Sequence, residues 1–193
     1  MSDQPGAGAP EDKEIGASLV VERLRDFAGS DLHDLCDAAE AAIHEGGGFG
    51  WLTPPPRNVM ESFWRGVLLV PERELFAARL DGVIGGSAQL AHPLRNNEAQ
   101  AMTGTLTTFF LAPWARGYGL GAMTIEAVIA AARAEGLKVL NLDLRETQAH
   151  AIRLYDQLGF VHWATHPNYA WVKGGWVSGR YYYKLLDQQD GSV

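Results

Sequence analysis

The chain is short of cysteine, of basic residues and of long apolar runs, and each shortage excludes something. Cys36 is the one cysteine in 193 residues, so no intrachain disulfide can form and a reducing compartment is expected. In its helical, mostly apolar context Cys36 reads as a small core residue. Lys and Arg number 16 against 23 Asp and Glu, a formal net charge of -7, and no basic cluster stands out. A protein that grips phosphate backbones needs a basic face, so nucleic acid is not an expected partner. No run approaches the roughly 20 apolar residues that cross a bilayer. The first residues, MSDQPGAGAPEDKEIGAS, carry no charged-then-apolar signal pattern. A cytoplasmic chain without membrane attachment or metal is expected.

What is present suits one globular domain. The hydrophobic fraction of 47% is enough for a core. Residues 1–16 read as a flexible tail, 17–187 as the domain and 188–193 as a second tail. A first strand begins near Ser18. Ser30 or Asp31 can cap a helix in which Leu32, Leu35, Ala39 and Ile43 recur at helical spacing. The glycines of 46–50 stop it, and NVMESFWRGVLL forms a second helix that ends near Pro71. Asp81-Gly82, between two apolar runs, signals a tight hairpin. A fourth strand is closed by Pro113, a long helix by Gly136, and KVLNLDL makes a fifth strand. A shorter helix, which Thr147 can cap, precedes two final strands around the polar turn VKGGWVSG. The order is a mixed α/β layout, one sheet with helices on its faces.

The chemistry lies between Phe109 and Phe160. Glycines at a helix entrance let a ligand approach the backbone, and the amides of the first turn, with the helix dipole, favour an anion such as pyrophosphate. Gly117, Gly119 and Gly121 stand there, and they also suit an ordinary tight turn. Gly117-x-Gly119-x-x-Ala122 fits the loose dinucleotide pattern too. Against that reading, four residues separate strand from glycines, and the preceding strands are joined by a hairpin rather than a helix.

The R-x-x-G-x-G spacing that starts at Arg116, taken with AIRLYDQLGF at 151–160, resembles the GNAT superfamily of acyl-CoA-dependent N-acyltransferases. The resemblance implies a mostly antiparallel central sheet splayed between strands 4 and 5, with acetyl-CoA as cosubstrate. It implies that the amides of Gly117, Tyr118, Gly119, Leu120 and Gly121 bind pyrophosphate, with Arg116 beside the phosphates. The backbone of Phe110 and Leu111 would pair with the pantetheine arm. Tyr155 stands where the family's general acid protonates the departing thiolate; a phenol and a thiol are close enough in pKa for that transfer. Gln148 replaces the family's frequent Asn at a cofactor contact and is longer by one methylene.

Asp143, Glu146 and His92 are candidate bases, and a water chain is an alternative. Phe49 and Trp51, large apolar residues in a glycine-rich loop, suit either a wall of the acceptor pocket, with Trp64 and the C-terminal aromatics nearby, or a cover for the core beneath the loop. That loop, HPNYAW and GRYYYKLL are loosely similar to the tabtoxin-resistance branch, which implies a small amino-acid-like amine. A non-catalytic acyl-CoA sensor and a protein acetyltransferase remain open beside a small-molecule enzyme. The resemblance also leaves open a homodimer through the aromatic C-terminal strands.

Overall fold

The computed structural model describes residues 16–47 and 49–187. Apart from Gly16, the two expected tails lie outside the described residues. The elements run β1 (Leu19–Leu24), α1 (Asp31–His44), α2 (Arg57–Leu69), β2 (Arg73–Leu80), β3 (Val83–Ala91), β4 (Thr103–Leu111), α3 (Leu120–Ala134), β5 (Val139–Arg145), α4 (Ala149–Gln157), β6 (Val161–Val172) and β7 (Gly175–Leu185). This is the order read from the sequence, with short 3-10 turns at Glu98–Gln100 and Pro113–Ala115 added.

Seven strands form one sheet in the order β1-β2-β3-β4-β5-β7-β6. Every neighbouring pair is antiparallel except β4 with β5. That parallel pair holds only from Thr103↔Val139 to Thr105↔Asn141, and beyond it the strands part. The long helix α3 makes the parallel crossing between them, since a parallel connection needs a crossover. α1 and α2 cover one face with Leu35, Ile43, Met60 and Trp64 packed on Leu75, Ile84 and Phe110. α3 and α4 cover the other with Ile125, Val128, Ile152 and Tyr155 packed on Leu90, Leu106, Leu140 and Tyr182. Cys36 is buried in the first layer, and that burial pushes its thiol up to about 11. It is a core residue, as expected.

Three local expectations are corrected. Ser30 holds the N-cap position of α1 without a side-chain cap; its hydroxyl donates to Asp34. Asp31 is instead a buried anion that accepts from the Ala28 amide and pairs with Arg79 at 2.9 Å. At α4 the N-cap position belongs to Gln148, not Thr147, again with no side-chain cap. The expected polar turn VKGGWVSG shrinks to Lys173-Gly174, both at positive φ (50° and 81°), as a two-residue hairpin turn requires. The residues on either side of it pair, Val172 opposite Gly175 and Trp171 opposite Trp176, because the strands carry through the glycines. Asp81-Gly82 makes the same kind of turn, with φ of 51° and 85°.

Candidate active site

The parting of β4 and β5 opens two cavities that share a wall. One, of about 870 Å³, is lined by Arg116, Gly117, Gly119, Gly121, Ala122 and the start of α4. The other, of about 770 Å³, is lined by Phe49, Trp51, Phe63, Asp143, Tyr155 and Tyr169 among others. Phe109 and Gln148 border both.

The first cavity has a backbone floor at 117–121, with Arg116 and the α4 residues His150, Arg153 and Gln157 around it. Gly117 and Gly119 have φ of +87° and +82°, where L side chains are strained, and Gly119 is the N-cap residue of α3. A Cβ added to either would meet nothing within 4 Å, so conformation rather than crowding demands glycine there, and the open space lies over the helix start. The first amides of α3 lack helical partners, and Gly119, Gly121 and Ala122 line the cavity. The side chain of Leu120 is buried in the core and that of Tyr118 projects to solvent at 51% exposure, and neither residue is among those lining the cavity. Arg116 donates to the Leu111 carbonyl from Nε (3.1 Å) and Nη2 (2.9 Å), and pairs with Glu45 at 2.5 Å.

Two glycines that the sequence reading passed over set this geometry. A Cβ on Gly86 would lie 2.3 Å from the Phe110 carbonyl oxygen, and one on Gly85 would lie 2.5 Å from the Ala115 Cβ. β3 therefore needs both to let the end of β4 and the Pro113–Ala115 turn lie close. Isolated glycine in a strand is the signal that marks such an approach. β4 also carries a bulge: its register with β3 shifts between Ser87 and Gln89, and Thr108 sits at φ +54°. Past the bulge the Ala112 amide donates to Gly85. By the alternation of an antiparallel ladder, the Phe110 amide then faces β3, and Phe109 and Leu111 turn their N–H and C=O groups toward the gap. Both residues of the expected pair line the first cavity, and the Phe110 ring packs into the core beneath Phe49, with ring centroids 4.9 Å apart.

The second cavity is built from side chains of distant elements. Phe49 and Trp51 form an aromatic wall with Phe63 (centroids 6.0 and 5.0 Å from it). Trp64, expected nearby, is fully buried in the core behind that wall. Tyr155 is buried on α4, and this burial, with the charge of Asp143, holds its phenol well above the usual tyrosine range. It stays protonated at neutral pH and can donate. Of the three candidate bases, Asp143 lines the cavity and accepts a hydrogen bond from the Tyr169 hydroxyl. Glu146 is engaged by Arg180 at 2.7 Å. His92 lies 3.1 Å from Glu74 and 3.4 Å from Glu135, and borders neither cavity.

Comparison with known proteins agrees with this arrangement. The family described as acetyltransferase (GNAT) matches residues 34–160. An uncharacterized N-acetyltransferase in the hisH-hisA intergenic region of Azospirillum brasilense is 62% identical over 130 residues, 67% of this chain and 77% of that protein. Mycothiol acetyltransferase of Stackebrandtia nassauensis is 34% identical over 101 residues, 51% of this chain but 32% of that enzyme. Among solved structures, an N-acetyltransferase from Staphylococcus aureus Mu50 superposes with a TM-score of 0.74 at 18% identity, covering 88% of this chain and 99% of that one. A phosphinothricin acetyltransferase from Sinorhizobium meliloti in complex with AcCoA gives 0.69 at 19% identity, covering 89% of each chain. The matched segment holds both the splayed strands and the glycine-led helix start, and on that footing the chain belongs to the GNAT family of acetyltransferases, whose acetyl donor is acetyl-CoA.

Proposed function

We propose that the chain acetylates the primary amine of a small molecule, with acetyl-CoA in the glycine-lined cavity and the amine in the aromatic one. The observation that carries this reading is the shared wall: the two cavities meet at Phe109 and Gln148, and the Tyr155 ring lies 6.1 Å from that of Phe109. The residues present suit the donor. Helix-start amides at residues 119–121, with Arg116 beside them, favour a pyrophosphate. The gap-facing backbone of Phe109 and Leu111 offers an unpaired strand edge to an extended amide-bearing arm; a carbonyl has two lone pairs, so Leu111 can serve both Arg116 and such an arm. Acetyl-CoA supplies an activated thioester. The protein supplies a gap-facing N–H for charge growing on the acyl oxygen and the Tyr155 proton for the leaving sulfur.

A small acceptor is favoured by the bulk of Phe49, Trp51, Phe63 and Trp171 around the second cavity, which leaves little width for a folded protein surface. Arg73 and Arg145 line it too, so an amine that also bears a carboxylate is accommodated. The edge strand β6 and its neighbour β7 also expose Trp163 and Trp176, a surface suited to a second copy of the chain and testable by light scattering.

The reading is tested by thermal unfolding with acetyl-CoA and with NAD. Ligand at about 100 times its dissociation constant should stabilise the fold by roughly 2.7 kcal/mol. A shift with acetyl-CoA alone is expected; a shift with NAD alone, or none, overturns the assignment.

A further inference from the structure

We propose that Asp143 is the group that receives the acceptor's ammonium, held in place by Tyr169 lying across Gly179. This rests on the aromatic cavity being the acceptor pocket. Among the described residues lining that cavity, Asp143 is the one acidic side chain. It stands on the strand face shared with Asn141 and Arg145, away from the buried Leu142 and Leu144, at the part of β5 that no longer pairs with β4.

The sequence accounts for how Tyr169 reaches it. β6 pairs with β7 at His166↔Gly179 and again at Ala170↔Val177, so residues 167–169 bulge opposite Ser178 alone. Pro167 lies in that bulge, where a residue without an N–H costs no ladder hydrogen bond. The bulge throws Tyr169 over β7 toward β5, and its ring comes down on Gly179. A Cβ at position 179 would lie 2.1 Å from Cγ and 2.4 Å from Cδ2 of that ring. Only glycine lets the tyrosine lie there. Its hydroxyl then donates to Oδ2 of Asp143. A carboxylate accepts several hydrogen bonds, so Oδ1 can still take an ammonium.

The aromatic residues around this anion suit a primary amine on an apolar body. As the nitrogen bonds to the acetyl carbon and the carbon–sulfur bond breaks, it sheds two protons. One passes to Asp143 and on to water. The other makes good the proton that Tyr155 gives to the sulfur. Asp143 touches the substrate; Tyr169 and Gly179 are positioning residues.

The test is calorimetric titration of 2-phenylethylamine into the protein saturated with coenzyme A, with 3-phenylpropionate as a control of like shape and opposite charge. Wild type should bind the amine. Asp143→Asn should weaken it by about tenfold or more, the scale of hydrogen bonds to charged groups. Tyr169→Phe and Gly179→Ala should each weaken it less, and together no more than either alone, since both break one contact. Coenzyme A affinity should hold in all four variants. The proposal is overturned if wild type fails to bind the amine, if Asp143→Asn leaves it unchanged, if the double variant is additive, or if coenzyme A affinity falls in parallel. Failure of coenzyme A to bind wild type would instead overturn the functional reading beneath it.

Discussion

The two cavities are made in opposite ways. The donor cavity is centred on one stretch of main chain, the end of β4, a turn and the start of α3, and is closed by residues 45–47 after α1 and by α4, with Arg116, Arg153 and Gln157 adding polar side chains to its amides and carbonyls. The acceptor cavity draws side chains from a loop after α1, from α2, β4, β5, α4 and β6. A site made of backbone tolerates change in side chains and fails when the chain path moves. A site made of side chains from distant elements can change its specificity one residue at a time. One half therefore suits a ligand common to a family, and the other suits one that differs between its members.

The largest expected effect breaks the comparison at the junction. Tyr155→Phe should lower kcat by about 10²- to 10⁴-fold, the usual worth of a positioned acid. Acetyl-CoA affinity should stay within about twofold, because a phenyl ring keeps the packing against Phe160 and Tyr182. Burial and the Asp143 charge raise the Tyr155 pKa, so an acid that must be protonated keeps its proton. A pH–rate profile should then show no alkaline loss from Tyr155 below about pH 10, its unperturbed value. Equal kcat in the two proteins would remove Tyr155 from the chemistry.

Next in size is Gly86→Ala, aimed at the backbone half. The new methyl group meets the Phe110 carbonyl and Leu111, so the end of β4 must shift. We expect a loss of about 1–3 kcal/mol in stability, as for overpacked cores. Acetyl-CoA affinity should fall with it, since Leu111 lies on the displaced segment. Unchanged affinity would mean that the strand edge is not part of the donor site.

The same contrast governs what the sequence discloses. The order of elements, the Asp81-Gly82 turn and the glycine-led start of α3 are local, written in spacings of a few residues, and each is legible. So is the place of Tyr155 within its motif. Tyr169 is not. Its reach to Asp143 depends on a bulge at 167–169 and on a glycine ten residues downstream, and neither has meaning until β6, β7 and β5 are adjacent. Trp64 misleads for a related reason: α2 turns it into the core while Phe63, one residue earlier, meets the cavity. The long β6–β7 hairpin was obscured because its glycines at 174, 175 and 179 mimic a loop, whereas one serves a turn and another the Tyr169 ring.

Trp51→Ala tests the side-chain half with a smaller effect. Trp51 lines only the acceptor cavity and packs on Phe49 and Phe63, with centroids 5.5 and 5.0 Å away. Losing that wall should raise the acceptor KM by about tenfold, one buried aromatic contact's worth, and leave acetyl-CoA affinity alone. A parallel loss of both would show that the two halves are not separable.

The smallest effect comes from the residue that belongs to both. Gln148 borders each cavity and occupies the N-cap position of α4, yet its side chain makes no cap hydrogen bond. Gln148→Ala should therefore leave the melting temperature nearly unchanged, because no helix amide loses a partner. Its amide group can still bridge ligands across the shared wall, and one neutral hydrogen bond is worth about 1 kcal/mol. Steady-state kinetics should show a rise of about two- to fivefold in KM for each substrate on that scale, with kcat little altered. A rise for acetyl-CoA alone would assign Gln148 to the donor side and leave Phe109 as the only wall the two cavities share.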